Sequence, residues 1–226
     1  MKAIVIGASG GIGSALCDSL ETRGAAVARL SRTSVPPIDL ASDRSIADGA
    51  AALAADAPFD LILVASGILH GDGVSPEKTY RQLDGASLER IFRINTIGPA
   101  LVARHFLPLL CPDRRAIFAA LSARVGSIGD NRLGGWPGYR ASKAALNQII
   151  RTLAIELART RPQTICVALH PGTVDTPLSA PFQRGLAAGQ LKSPAHSASQ
   201  LLDLLDGLTP ADSGGCFDPG GARIVP

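Results

Sequence analysis

Apolar residues along this 226-residue chain fall into two recurring patterns. Short continuous runs at 3–6, 25–30, 61–64, 116–121 and 164–169 have the length and composition of strands buried on both faces. Between them, apolar residues recur at helical spacing. Ile12, Leu16 and Leu20 mark one face of a helix over 12–23, which Gly24 closes. An alanine-rich helix is predicted over 45–55, and one long helix over 87–110 with Asn95 in its middle and Pro108 near its end. Leu146, Ile150, Leu153 and Leu157 line a helix over 139–159, a further helix covers 197–205, and residues 214–226 read as a last short strand and tail. Strand and helix alternate without repeat or linker, which predicts one α/β domain over 1–226. Its core is a doubly wound parallel sheet with helices on both faces. Only one helix fits between the second strand and Leu61, so a compact variant is expected.

Composition narrows this picture. Hydrophobic residues make up 46% and charged ones 18%, as in an ordered globular protein. The net charge of +3 is scattered, which argues against nucleic acid as a partner. Cys17, Cys111, Cys166 and Cys216 form no CxxC pair and read as buried thiols in a reducing compartment. His70, His105, His170 and His196 are dispersed, so no metal site is expected. The apolar N-terminal run meets glycine at position 7, too soon for a secretory leader, and no apolar run approaches the ~20 residues of a membrane span. A soluble, cytoplasmic protein is expected.

The first strand leads into Gly7-Ala8-Ser9-Gly10-Gly11-Ile12-Gly13, with a helix directly after. A pyrophosphate at a helix N-terminus needs a sharp turn whose backbone N–H groups stay open to anionic oxygens. Side chains at Gly7 and Gly11 would obstruct that approach, while Gly13 allows strand and helix to pack closely. Strand before and helix after make this turn a dinucleotide-binding, Rossmann-type element. At the end of the second strand the chain reads Ser31-Arg32, where an NAD site usually carries an acidic residue. A hydroxyl and a guanidinium suit a 2′-phosphate, which favours NADP(H) over NAD(H).

Tyr139 and Lys143 stand four apart at the start of a predicted helix, so both can face one cleft. A nearby ammonium favours phenolate, and Tyr139 would thereby exchange protons with a carbonyl or alcohol oxygen near neutral pH.

The glycine turn, Asp39-Leu40, the Asn-Thr-Ile-Gly run at Asn95, Ser122, Tyr139 with Lys143, and the segment from Pro171 to Thr176 occur in the order and spacing of one family. The chain resembles the short-chain dehydrogenases/reductases over nearly its whole length. The runs 126–128, 139–147 and 170–172 are further similar to the small C-factor-like carbonyl reductases within that family. The resemblance implies an NADP(H)-dependent interconversion of carbonyl and alcohol. It makes Tyr139 the general acid/base, with Lys143 holding the nicotinamide ribose and lowering the phenol pKa. Ser122 would bond the substrate oxygen, and Asn95 would support Lys143 through a water. For the cofactor it implies Gly7, Ser9, Gly10, Gly11, Ile12 and Gly13 at the phosphates, Ser31 and Arg32 at the ribose, and Asp39 and Leu40 at the adenine. Ala65, Ser66 and Gly67 would meet the adenosine ribose through their backbone, and Pro171, Gly172, Val174 and Thr176 would hold the carboxamide and phosphates.

The chain departs from the family pattern in three places. Val64-Ala65-Ser66-Gly67 replaces the usual Asn-Asn-Ala-Gly, which removes the asparagine side-chain bonds. In Ser122-Ala123-Arg124-Val125-Gly126, counting back from Gly126 puts Ala123 at the catalytic place, whereas counting forward along the strand puts Ser122 there. Ser122 is the expectation adopted, with Ser127 the lesser candidate. The loop 127–138 is longer than usual, and Arg124, Asn131, Arg132 and Trp136 can shape the pocket. Residues 177–194 follow a strand's carboxyl end and are read as a short mobile lid, with an ordinary surface loop the alternative. His170 is read as a wall residue.

Leu101, Phe106 and Ile150 suit either the core or a subunit interface, and the resemblance implies a homodimer or homotetramer. A dinucleotide-binding sensor without turnover is the rival function. A sugar-nucleotide epimerase would need a larger C-terminal substrate region. The substrate itself is not specified beyond a small-molecule carbonyl or alcohol.

Overall fold

Five of the apolar runs form strands: β1 (Lys2–Ile6), β2 (Ala26–Leu30), β3 (Leu61–Val64), β4 (Ala116–Leu121) and β5 (Thr164–Leu169). They are seen in a computed structural model that describes every residue except Asp72 and Ala188. Two-residue strands follow at β6 (Thr173–Val174), β7 (Leu191–Lys192) and β8 (Cys216–Phe217). The main sheet has the order β2-β1-β3-β4-β5-β8 with every pair parallel, and β6 pairs with β7 apart from it. This is the expected doubly wound α/β architecture. Its central strands read as apolar runs because both faces are covered: β3, β4 and β5 are buried at every position.

Alternate residues of one strand serve opposite faces. Ala3 and Val5 of β1 pack with α1 (Gly11–Thr22) and α6 (Pro194–Gly207), through Leu16, Leu20, Leu201 and Leu205. Ile4 and Ile6 pack on the other face with α2 (Asp43–Ala52), α4 (Gly98–Phe106) and α5 (Pro137–Thr160), through Ile46, Val102, Phe106, Leu146 and Ile150. Phe106 and Ile150 therefore belong to the core, and Leu101 is half-buried against it. Between β2 and β3 there is only α2 and a short turn at Ala54–Asp56, the expected compact connection.

The helix predicted over 87–110 is not continuous. It consists of α3 (Gly85–Phe92), a π-helical turn at Arg93–Ile97, and α4. Gly98 N–H bonds to Arg93 O, five residues back, and Pro99 has no N–H to offer the preceding turn. Gly98 also admits close packing, since a Cβ there would lie 2.8 Å from Leu40 Cβ. The last helix starts earlier than the apolar pattern indicates, because Ser193 caps it by accepting the His196 N–H and Pro194 suits its first turn. Among the described residues, no helix is long and apolar enough to cross a membrane.

The chain leaves β1 for β2 on one side and returns to β3 on the other. Strand order reverses there, so the carboxyl ends of β1 and β3 open a crevice, the place where parallel sheets receive ligands.

Candidate active site

The crevice is a cleft of about 380 Å³. Of the expected cofactor residues, Gly7, Ser9, Gly10, Ser31, Arg32, Asp39, Leu40, Ala65, Ser66 and Gly67 line it. Gly7 leaves β1 with φ of 93°, donating its N–H to Leu30 O at 2.8 Å. A Cβ on Gly7 would lie 2.6 Å from Ser66 Oγ, one on Gly11 2.7 Å from Thr176 Cγ2, and one on Gly13 2.1 Å from Gly7 O. Three strands of chain thus meet at distances only glycine permits. Gly10 caps α1 without a side-chain acceptor, and the first turn, which includes Ile12, holds no acidic residue. Its N–H groups and helix dipole are free to face an anion.

At the β2 end, Arg29 is held by Asp18 and Glu21, each at 2.6 Å. Arg32 is exposed, lines the cleft, and makes no ion pair among the described residues. The Ser31 hydroxyl accepts the Thr33 N–H at 3.2 Å, and Asp39 Oδ1 accepts the Ala41 N–H at 2.9 Å. Both side chains shape the turns that border the cleft. On its far side, Gly172 has φ of 79°, Pro171 O accepts the Ser197 hydroxyl at 2.9 Å, and Val174 is buried. Thr176 then reaches across to Gly11.

Asn95 lies in the π turn, fully buried. Its Oδ1 accepts the Ile68 N–H and its Nδ2 donates to Ile68 O, both at 2.8 Å, and Nδ2 also donates to Ser142 Oγ at 3.1 Å. The side chain therefore ties the loop after β3 to α5, and its hydrogen bonds go to Ile68 and Ser142 rather than to Lys143. A Cβ on Gly67 would stand 3.4 Å from Asn95 Oδ1 and 3.5 Å from Lys143 Nζ, so the three residues converge where the cleft ends.

Tyr139 and Lys143 share one face of α5, both buried, with Nζ 5.8 Å from the phenol ring centre. Lys143 Nζ donates to Leu121 O at 2.8 Å. Burial pushes the lysine down to about 8 and the phenol up to about 12. Burial thus acts against the lowering of the phenol pKa expected from Lys143. Without cofactor and substrate, desolvation outweighs an ammonium that is already turned toward a carbonyl. At neutral pH the phenol keeps its proton, and the lysine keeps its charge but gives up its proton more readily than a solvated lysine does.

The expected place of the catalytic serine also needs correction. Ser122 Oγ donates to Asn147 Oδ1 at 2.7 Å. Asn147 lies eight residues beyond Tyr139, roughly 12 Å along the helix. Ala123 instead packs in the cluster that contains Tyr139, with Ile68, Val74 and Leu178. Residue 123 follows 122 on extended backbone and so faces the other way, which is why the count from Gly126 gives the register seen. Ser127 is also occupied: its oxygen accepts the Asp130 N–H at 3.0 Å and its hydroxyl donates to Pro226 O at 3.4 Å. Neither serine hydroxyl is brought to the phenol.

The wall around Tyr139 is apolar and aromatic. Trp136 stands edge-on to Tyr139 and to Phe182, with ring centres 6.5 and 5.0 Å apart. Phe182 also meets His70, whose Nε2 lies 3.1 Å from both Pro177 O and Leu178 O. The segment read as a lid is thus folded onto the site in its first part, and position 188 of that segment lies outside the described residues. His70 carried no signal in the sequence, being one dispersed histidine among four. Of the residues expected to shape the pocket, Trp136 does so, but Arg124 pairs with Asp218 and Asp130, and Asn131 Oδ1 accepts the Gly134 N–H. His170 is half-buried, and desolvation lowers it to about 4, so it stays neutral.

The family model described as short chain dehydrogenase matches residues 1–186. The C-signal protein of Myxococcus xanthus is 36% identical over 143 residues, 63% of this chain and 80% of that protein. The 1-hydroxy-2-glutathionyl-2-methyl-3-butene dehydrogenase of Rhodococcus sp. (strain AD45) is 30% identical over 223 residues, covering 93% of each chain. Among solved structures, the NADPH-bound carbonyl reductase from chicken fatty liver superposes with a TM-score of 0.85 at 24% identity, covering 99% of this chain and 98% of that one. An NADP-bound short-chain dehydrogenase/reductase from Burkholderia multivorans gives 0.82 at 25% identity, with the same coverage.

Proposed function

This chain belongs to the short-chain dehydrogenase family, and from that premise we propose that it is an NADP(H)-dependent oxidoreductase that interconverts a ketone or aldehyde with an alcohol. The observation that carries the reading is the convergence of Gly67, Asn95 and Lys143, with Tyr139 on the same helix face, at the end of a glycine-lined cleft. The cleft suits a dinucleotide: side chains would fill the glycine cradle, and an uncapped helix N-terminus faces it. Gly7, Ser9, Gly10, Gly11, Ile12 and Gly13 would hold the phosphates, with Thr176 closing over them. Ser31 and Arg32 would take the 2′-phosphate, Asp39 and Leu40 the adenine, and Ala65, Ser66 and Gly67 the ribose. Pro171, Gly172 and Val174 would border the nicotinamide end. The bound nicotinamide supplies or accepts the hydride.

The chain's own part is to hold a proton and exclude water. Tyr139 keeps its proton on Oη, because burial makes phenolate costly, and presents it to the substrate oxygen. Lys143 would move its Nζ from Leu121 O toward the ribose hydroxyls and stabilise the phenolate left behind. Asn95 fixes the loop after β3 against α5, which sets the spacing of both. Ala123 offers a methyl where a hydroxyl would polarise the carbonyl, so Tyr139 is the hydroxyl donor from this wall. The aromatic wall of Trp136 and Phe182 keeps water from the reacting atoms.

A sensor that only binds the dinucleotide is not favoured. Burying a lysine beside a buried phenol is costly and adds nothing to phosphate binding. We further read the protein as a cytoplasmic homodimer or homotetramer in which residues 1–226 act as one domain. Consumption of NADPH in the presence of a panel of aldehydes and ketones tests the reading. Oxidation with at least one carbonyl supports it, and NADPH binding without turnover on any of them would leave only the sensor.

A further inference from the structure

Among the described residues, two charged side chains are buried, Lys143 and Glu77. Lys143 belongs to α5 and turns its Nζ to Leu121 O, whereas Glu77 is directed at the first turn of that helix. Glu77 stands in the loop that follows β3, 61 residues before its partner, and its Oε2 accepts the Gly138 N–H at 3.3 Å. Its main-chain carbonyl accepts the Trp136 N–H at 2.6 Å. These bonds bracket Pro137 and end one residue before Tyr139.

The local backbone explains why such a clamp is needed. Trp136, the N-cap of α5, makes no side-chain cap and sits at φ 51°, ψ 46°. It is the one non-glycine residue at positive φ among the described residues. A bulky side chain in that region is strained and persists only where its surroundings fix it. Gly138 is matched to the carboxylate above it: a Cβ there would lie 2.6 Å from Glu77 Oε1 and 3.1 Å from Leu88 Cδ2. Glu77 has no ion pair among the described residues, so burial of its charge is offset by the helix N–H groups and dipole.

We infer that Glu77 is a positioning residue for the reaction, a cap supplied from outside α5 that fixes Trp136 in its left-handed conformation and thereby aims Tyr139. The inference rests on the oxidoreductase reading for its catalytic consequence, but its structural part is independent of it. Glu77 is not one of the residues that line the cleft.

The test uses Glu77→Ala, Glu77→Gln and Gly138→Ala in the full chain. Trp136 is the sole tryptophan of the sequence, so its fluorescence emission reports the clamped residue directly, without cofactor or substrate. Glu77→Ala and Gly138→Ala should shift that emission to the red and lower kcat about tenfold, as small misplacements of reacting groups do. The Kd for NADPH should stay within about twofold, because the glycine turn and Arg32 lie elsewhere on the cleft. Glu77→Gln keeps an oxygen for the Gly138 N–H and should restore both readouts. Wild-type emission and kcat in folded Glu77→Ala would overturn the inference, as would a Gln variant no better than the Ala variant. If Glu77→Ala does not fold, the Gln and Gly138→Ala proteins decide by the same readouts. If the wild type turns over no carbonyl, the oxidoreductase reading fails while the emission still tests the clamp.

Discussion

Replacing Lys143 with methionine should stabilise the cofactor-free protein at neutral pH, by an amount that fades as pH rises. Burial lowers this lysine from 10.5 to about 8. At about 1.4 kcal/mol for each pH unit, the folded state is penalised by about 3 kcal/mol whenever the lysine is charged in both states. Below pH 8 both states hold the proton and the penalty is complete. As pH rises through 8 the folded lysine releases its proton, the unfolded one does not until about 10.5, and the penalty disappears over that window. Methionine carries no such penalty. It does leave Leu121 O without its donor, which offsets roughly 1–3 kcal/mol at every pH. The decisive quantity is therefore the change with pH, not the difference at one pH. Burial also raises the Tyr139, Cys17, Cys166 and Cys216 groups, which makes both proteins less stable at high pH. Subtracting the two proteins removes that common trend. Urea unfolding of wild type and variant at pH 7, 9 and 10.5 is the assay. The advantage of the variant should shrink by about 1 kcal/mol from pH 7 to 9 and by about 3 from pH 7 to 10.5. Parallel curves, with the difference constant across this range, would refute a lysine held in a dry site.

Three further outcomes follow from the same geometry. Gly13→Ala places a Cβ 2.1 Å from Gly7 O, against backbone that cannot yield cheaply, so a fluorescence titration should show NADPH affinity lower by at least about tenfold and a thermal melt should show a loss of about 1–3 kcal/mol. Ser122→Ala removes the bond to Asn147 and should cost about 1 kcal/mol in denaturant unfolding while kcat stays within a few-fold of wild type; a loss of turnover in the folded variant would put the serine back in the reaction. Arg32→Glu should lower the ratio of kcat/KM for NADPH over NADH by at least about tenfold, and an unchanged ratio would mean that Arg32 does not meet the 2′-phosphate.

The sequence made the sheet legible because its central strands β3, β4 and β5 are buried at every position and are almost wholly apolar, with Thr164 the one polar residue among them. The glycine turn was legible for a related reason: Gly7, Gly11 and Gly13 are each required by a contact that a Cβ would violate. What escaped was set by long-range contact. The break at Asn95 follows from a π turn and Pro99, whereas periodicity alone continues through it. The facing of Ser122 depends on where β4 ends relative to α5, which a one-residue slip reverses. The protonation of Tyr139 follows from burial by Trp136, Phe182 and Leu178, residues far apart in the chain that spacing from Lys143 does not reveal. Glu77 and His70 act across 61 and more than 100 residues, beyond any local pattern.

The proton that Tyr139 holds on Oη is the reacting group supplied by the chain itself. With a carbonyl substrate identified by NADPH consumption, Tyr139→Phe should bind NADPH as wild type does and lose at least about a hundredfold in kcat, the scale of a missing general acid. Turnover within a few-fold of wild type in the folded, NADPH-binding Phe variant would contradict it.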